Sequence, residues 1–355
     1  MFSSTLRLGS SRNILDSLPD WKTMKNDFAT QQWTTWILCL VIGVCLSAPE
    51  SLRADDKSPE FSRSTYTYKT VDQLKIQADV YRHKDSVTRP VIVWLHGGAL
   101  IMGSRTGVPK QLKDLAEKEK FVLVSLDYRL APDAKLPEII SDLNDGLAWV
   151  RKSGPMLFDA DPSRLVVAGA SAGGYLAQMS GISKQPPTAI VSYWGFGDVD
   201  GDWTTKPSEA YRKGKLIAKE DAWAGVGEQV LTSTNQKNGR GRATFFLYLK
   251  QTGQWINAVG GFDPTTDRKK ITPYCPIRNL SPKYPPTLFL HGTADKDVPV
   301  EQSLSMAREL KRLGVSHEII TIEGGGHSLW GGDRVLIQRA FKRSTEYIRE
   351  KLSEP

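Results

Sequence analysis

The chain has 355 residues, a formal charge of +8, five histidines and three cysteines. That length buries a substantial core and fits one large α/β domain or two small ones. Its basic runs, Lys213–Lys219 and Arg240–Arg242, are short and lack the motif of a nucleic-acid module, so they read as solvated faces and no nucleic-acid partner is expected. The histidines are scattered, there is no HExxH and no paired-cysteine spacing, and Gly324-Gly325-Gly326 lacks the lysine and hydroxyl of a phosphate loop; neither a metal nor a cofactor is expected.

Residues 1–54 differ in character from the rest of the chain. Trp36 to Leu46 is an apolar run too short for an unbroken membrane span of about 20 residues and well sized for a signal-peptide h-region. Cleavage is expected after Ala48 or Ala54, and Met24-Lys25 offers a second start with a short basic n-region. Export to the periplasm or the exterior is the expectation, with a retained N-terminal membrane anchor as its rival. Cys39 and Cys45 fall in this leader, which leaves Cys275 alone and no internal disulfide.

From residue 55 onward the pattern alternates. Strand-like runs lie at 64–69, 74–81, 90–95, 121–127, 165–168, 189–194, 287–290 and 318–322. Helical patterns lie at 111–118, 136–150, 172–181, 301–313 and 334–351. The rhythm implies a mostly parallel eight-stranded sheet with helices on both faces, and the absence of a helix between the first two strands implies an antiparallel start. Between Gly195 and Pro282 the rhythm breaks. Trp203, Trp223, Phe245, Phe246, Tyr248 and Trp255 lie there among polar and basic residues, which reads as a cap inserted at about 196–282. Most of these rings are expected to form the insertion's own core, with one or two facing a substrate.

Four strands end in residues suited to acyl transfer. Leu165-Val166-Val167-Ala168 runs into Gly169-Ala170-Ser171-Ala172-Gly173, where glycines permit a sharp strand-to-helix turn that lifts Ser171 out as a nucleophile. An ordinary glycine-rich turn is the bland alternative for that stretch alone. The strand at 90–95 ends in His96-Gly97-Gly98-Ala99, so the N–H groups of Gly97 and Gly98, with that of Ala172, form a candidate oxyanion hole. The strand at 287–290 leads to Asp295 and Asp297, two carboxylates that spacing cannot separate. The last strand ends in Glu323-Gly324-Gly325-Gly326-His327, which supplies a base. The order serine, acid, histidine is itself a fold signal.

The other histidines have simpler readings. His83 lies in a charged stretch and reads as a solvated loop residue; His317 opens a strand and reads as exposed; His96 and His291 precede glycines and read as structural hydrogen-bonding groups. Glu323 reads as a salt-bridge or surface residue. Asp127 and Arg129 read as groups that pin a loop.

Four motifs together resemble the α/β-hydrolase superfamily, in its esterase and lipase branch related to hormone-sensitive lipase: HGGA at His96–Ala99, DYRLAP at Asp127–Pro132, GASAGG at Gly169–Gly174, and HGTADKDVP with GGGH near the end. The resemblance spans roughly residues 63 to 350. It implies an α/β-hydrolase fold with Ser171 as nucleophile, Asp295 as acid, His327 as base, and Gly97, Gly98 and Ala172 as oxyanion donors, leaving Asp297 a loop residue. Two departures bear on the substrate: Ala99 stands where the family has a third glycine, and Ala170 where many relatives carry an acid. The expected activity is hydrolysis of short-chain or carbohydrate-linked carboxylic esters, small-molecule or glycan, through an acyl-enzyme. A prolyl-oligopeptidase-like peptidase and a catalytically silent binding protein are the alternatives.

Overall fold

The computed structural model describes residues 60–354 except 228 and 235–238. The expected leader, with its apolar run and two cysteines, lies outside the described residues. Eight strands form one sheet: β1 (Phe61–Val71), β2 (Leu74–His83), β3 (Arg89–Leu95), β4 (Val122–Leu126), β5 (Ala160–Ala170), β6 (Ala189–Tyr193), β7 (Thr287–Gly292) and β8 (His317–Ile322). Their spatial order is β1-β2-β4-β3-β5-β6-β7-β8. β2 runs antiparallel to both β1 and β4, and every other pairing is parallel.

β3 shows why the sheet needs two helical layers. All but its first residue are buried, and successive side chains point to opposite faces. Val91, Val93 and Leu95 pack with Ile139, Leu143 and Leu147 of α2 (Leu136–Phe158), with α3 (Ala172–Ser180), and with Met306 and Leu310 of α9 (Glu301–Arg312). Ile92 and Trp94 face Leu112 and Leu115 of α1 (Lys110–Lys118) and Tyr347 and Ile348 of α10 (Arg334–Ser353). All eight expected strands and five expected helices are present. α2 runs on past its expected end through Pro155 and stops at Asp159, which takes the left-handed conformation as C-cap.

The segment after β6 is helical and irregular. It holds α4 (Asp202–Thr205), α5 (Glu209–Arg212), α6 (Lys219–Trp223), α7 (Gly239–Thr252), a π-helical turn at Ile256–Gly260, and α8 (Arg268–Ile271). Phe245, Tyr248 and Trp255 are buried, and Phe196 packs its ring 4.9 Å from Trp203 and 6.0 Å from Trp255. These rings pack into the same hydrophobic cluster as Val91, Val93 and Leu95 of β3.

Two sequence expectations fail here. His83 is not a solvated loop residue: β2 continues through it, its ring sits 5.2 Å from Phe61, and its Nε2 meets the Glu117 carbonyl at 2.8 Å. Strand alternation, not the charge of its neighbours, sets its direction. Arg242 is also no surface charge. It is 1% exposed, donates to the carbonyls of Ile101 (3.0 Å) and Ala131 (2.6 Å), and pairs with Asp133. The acceptors on both terminal nitrogens offset most of the cost of burying the guanidinium, while its Nε is left without a hydrogen-bond partner. Lys213–Lys219 is solvated as expected.

Candidate active site

The site assembles at the carboxyl edge of the parallel strands, where ligands bind in open α/β sheets. Ser171 follows β5 directly and takes φ 55° and ψ −119°, a conformation side chains other than glycine rarely adopt. The turn is tolerated because Gly169 and Gly173, two residues to either side, carry no Cβ. A Cβ on Gly169 would lie 2.2 Å from the Gly173 carbonyl oxygen, and one on Gly173 would lie 2.0 Å from that of Leu95. These close approaches press α3 against β3 and β5, and the N–H of Ser171, donating to the Tyr193 carbonyl at 2.8 Å, ties the turn to β6.

His327 arrives from the far end of the sheet. Thr293 donates its N–H to Ile322, Ala294 its N–H to Gly325, and Gly324 its N–H to the Thr293 hydroxyl. These bonds lace the loop after β7 to the loop after β8. Gly292 and Gly325 permit the closeness, since a Cβ on Gly292 would sit 2.2 Å from the Gly325 carbonyl oxygen. The result places His327 Nε2 3.1 Å from Ser171 Oγ and His327 Nδ1 2.8 Å from Asp295 Oδ2. With the ring proton on Nδ1, His327 donates to Asp295 and accepts from the serine hydroxyl.

Asp295 is fixed from its other side. Its Oδ1 accepts the N–H groups of Asp297 (2.8 Å) and Val298 (3.0 Å), and its side chain is fully buried. Burial would raise its pKa, but hydrogen bonds from His291 and His327 and from the loop amides hold its carboxyl well below the usual range. Burial pushes the His327 pKa down; the bond to Asp295 and the charges of Asp297 and Asp295 outweigh this and leave it raised.

Gly97 lies against Ser171: a Cβ there would be 2.8 Å from the Ala170 carbonyl oxygen and 3.3 Å from the Ser171 Cβ. Gly98 has φ +114° and its carbonyl accepts the N–H groups of Ile101 and Met102, so its peptide is locked in a turn. Ala172 opens α3, and first-turn N–H groups have no intrahelical acceptor. Ala99 and Leu100 both take positive φ, so the loop bends without the third glycine.

The remaining motif residues support this frame. His96 is buried, stacks on Tyr128 with centroids 4.2 Å apart, and presents Nδ1 to the Gly97 carbonyl at 2.8 Å. Burial brings its pKa down to about 4, so it stays neutral. His291 Nδ1 meets Ser303 and its Nε2 meets the Val298 carbonyl. Asp127 accepts the Arg105 N–H at 2.7 Å and pairs with its guanidinium, and Arg129 grips Asp142 at 2.8 and 3.0 Å. Glu323 is exposed and His317 half-buried. Cys275 is buried, with its thiol pushed up to about 12 by that burial. Among the described residues no group of three His, Cys, Asp or Glu is poised to hold a metal ion.

Two further residues reach the site, and sequence reasoning missed one of them. Asp297 is indeed in a loop, but its Oδ2 lies 3.6 Å from His327 Nε2. Lys250 of α7 reaches the same place, 3.1 Å from Asp297 Oδ1. The closeness of Asp297 to Asp295 hinted at the first; nothing in the local sequence marks the second.

Comparison with known proteins places these observations. The BD-FAE family profile matches residues 78–310. The non-reducing polyketide synthase pkbA of Emericella nidulans is 28% identical over 361 residues, a match that takes in 85% of this chain. The chain spans only 14% of that synthase's length. Among solved structures, a truncated carbohydrate esterase from gut microbiota superposes with a TM-score of 0.59 at 20% identity, covering 84% of this chain and all of the other. Esterase 2 of Thermogutta terrifontis, phosphorylated by paraoxon, gives a TM-score of 0.55 at 20% identity over 82% of this chain and 96% of its own. These are α/β-hydrolase folds, and so is this one.

Proposed function

The chain belongs to the BD-FAE family, and on that premise we propose that it is a serine hydrolase that cleaves carboxylic esters through an acyl-enzyme intermediate. The observation that carries this reading is the hydrogen-bonded line from Ser171 Oγ through His327 to Asp295, with spacings of 3.1 and 2.8 Å. Ser171 attacks the ester carbonyl while His327 Nε2 takes its proton. Asp295 holds the ring in the tautomer that permits this and balances the imidazolium. The N–H groups of Gly97, Gly98 and Ala172 stabilise the oxyanion, at about 2.7–4 kcal/mol for each donor. His327 then hands the proton to the departing alcohol, and water repeats the attack on the acyl-enzyme.

The substrate class we favour is a short-chain or carbohydrate-linked ester. The polar pair Asp297 and Lys250 supports it, because a departing alcohol must lie at Nε2 and thus beside a carboxylate able to accept from its hydroxyls. We also propose export, on the strength of the apolar run from Trp36 to Leu46; Edman or mass-spectrometric reading of the mature N-terminus tests it. The activity is tested with a panel of 4-nitrophenyl esters of increasing acyl length, with wild type and Ser171→Ala side by side. Turnover in wild type that collapses in the variant is the expected outcome. Equal rates remove the nucleophile assignment, turnover of prolyl amides alone favours a peptidase, and no turnover of any ester, thioester or amide favours a binding protein.

A further inference from the structure

Lys250 and Asp297 form an ion pair inside the site that the acyl-transfer steps leave unused. Lys250 comes from α7 in the insertion, yet its side chain is only 4% exposed. Its ammonium donates to the Asp297 main-chain carbonyl at 2.8 Å and lies 3.1 Å from Oδ1 of the same residue. The rings of Trp203 and Tyr211 flank it at 5.1 and 5.6 Å, within the range of a cation–π contact. It is therefore a cation fixed on several sides.

The other Asp297 oxygen faces the base. Oδ2 lies 3.6 Å from His327 Nε2, while Ser171 Oγ lies 3.1 Å from the same nitrogen. Nε2 thus has two prospective partners. Once Nε2 carries a proton, a carboxylate is the stronger acceptor, and a shift of less than an ångström would make a charge-assisted bond. His327 held in that way is an imidazolium that cannot take the Ser171 proton.

We propose that Lys250 is a positioning residue, contributed by the insertion, that restrains the Asp297 carboxylate and so keeps His327 Nε2 available to Ser171. The proposal rests on the acyl-transfer reading above. Its two effects point the same way: the bonds to Oδ1 and the main chain hold the carboxylate back, and the positive charge opposes protonation of the imidazole. Other charges around His327 are accounted for. Asp295 is bound to Nδ1, and His291 reaches the ring only through Asp295, its Nε2 lying 3.4 Å from Oδ2. The Tyr211 phenol stays protonated, pushed up by burial and by the neighbouring carboxylates. Lys296 and the Asp202–Lys206 pair line a recess of about 300 Å³ beyond Asp297, and Glu323 is exposed. The directions agree, since Asp297 raises the His327 pKa and Lys250 lowers it.

The test is the pH dependence of kcat/KM on the best 4-nitrophenyl ester for wild type, Lys250→Met, Asp297→Asn and the double variant. The acid limb reports the free-enzyme pKa of the base. It should move up by about one pH unit in Lys250→Met and down by about one unit in Asp297→Asn, the scale of a charge within 4–6 Å. The double variant should fall back at least a full unit below Lys250→Met. A merely structural lysine would lower the plateau of Lys250→Met, leave its limb in place and gain nothing from the second substitution; that result overturns the proposal. Should Lys250→Met fail to fold by circular dichroism, an Asp297→Asn limb that stays put or rises overturns it as well. Titration of the five histidines by NMR reads the same shifts in His327 without turnover, and full activity of Ser171→Ala would instead remove the reading on which the proposal stands.

Discussion

Replacing Asp295 with asparagine separates the roles of charge and geometry. Asp295 Oδ1 accepts two loop amides, from Asp297 and Val298. An asparagine must keep its carbonyl oxygen there, which forces its NH₂ into the place of Oδ2, facing His327 Nδ1. The ring is then driven to the opposite tautomer, with Nδ1 accepting and Nε2 carrying the proton, and it can no longer take the serine proton. Restoring the useful tautomer would set two buried donors against each other. At about 1–3 kcal/mol for each of the two unsatisfied donors and about 1 for the lost bond, the penalty is roughly 3–7 kcal/mol, or about 10²–10⁵ in rate. The same substitution in the serine proteases, where the handling of the tautomer is established, costs about 10⁴. The assay is kcat on a 4-nitrophenyl ester at the pH plateau, with the thermal unfolding midpoint as a control for folding. Retention of more than a tenth of wild-type kcat, with Asp297→Asn losing far more, would refute the argument and move the acid to Asp297.

The pH profile of the unaltered protein should follow from the same charges. His327 must be neutral to act, and its pKa is raised from 6.5, so kcat/KM should fall on the acid side through a limb above pH 6.5; a limb below 6 would contradict the electrostatics. Gly173→Ala would place a Cβ 2.0 Å from the Leu95 carbonyl oxygen, between backbone atoms that cannot rotate away. Overpacking of that severity should cost about 3 kcal/mol or more in urea unfolding, and a loss below about 1 kcal/mol would show that α3 can slide off β3. Arg242→Met leaves Asp133 buried without its partner and two carbonyls without a donor, so a loss of about 3–5 kcal/mol is expected by the same measurement. A neutral result would mean that water replaces the guanidinium.

The sheet was legible because parallel strands buried on both faces announce themselves as unbroken apolar runs bounded by glycine and proline, as at Val91–Leu95 and Leu165–Ala168. The strand-end residues were legible for a related reason. Close backbone approach at Gly169, Gly173 and Gly292 leaves glycine as the workable residue, and glycine clusters stand out in a sequence. What escaped were contacts made across the fold. His83 looked solvated because its neighbours are charged, although alternation along β2 turned it inward. Arg242 looked like part of a basic run, although its acceptors at Ile101 and Ala131 are more than a hundred residues away. Lys250 meets Asp297 across 47 residues, and no local pattern encodes a pairing of that kind. Helix-rich insertions carry little periodic signal, so the segment after β6 could be delimited but not built.

The central claim is that Ser171 is acylated during turnover. It is met most directly by incubating the protein with a fluorophosphonate and mapping the adduct by tandem mass spectrometry. One adduct per chain, on Ser171, with parallel loss of esterase activity and with labelling sharply slowed by His327→Ala, is the result expected. Labelling elsewhere, or undiminished labelling of Ser171→Ala, would contradict it.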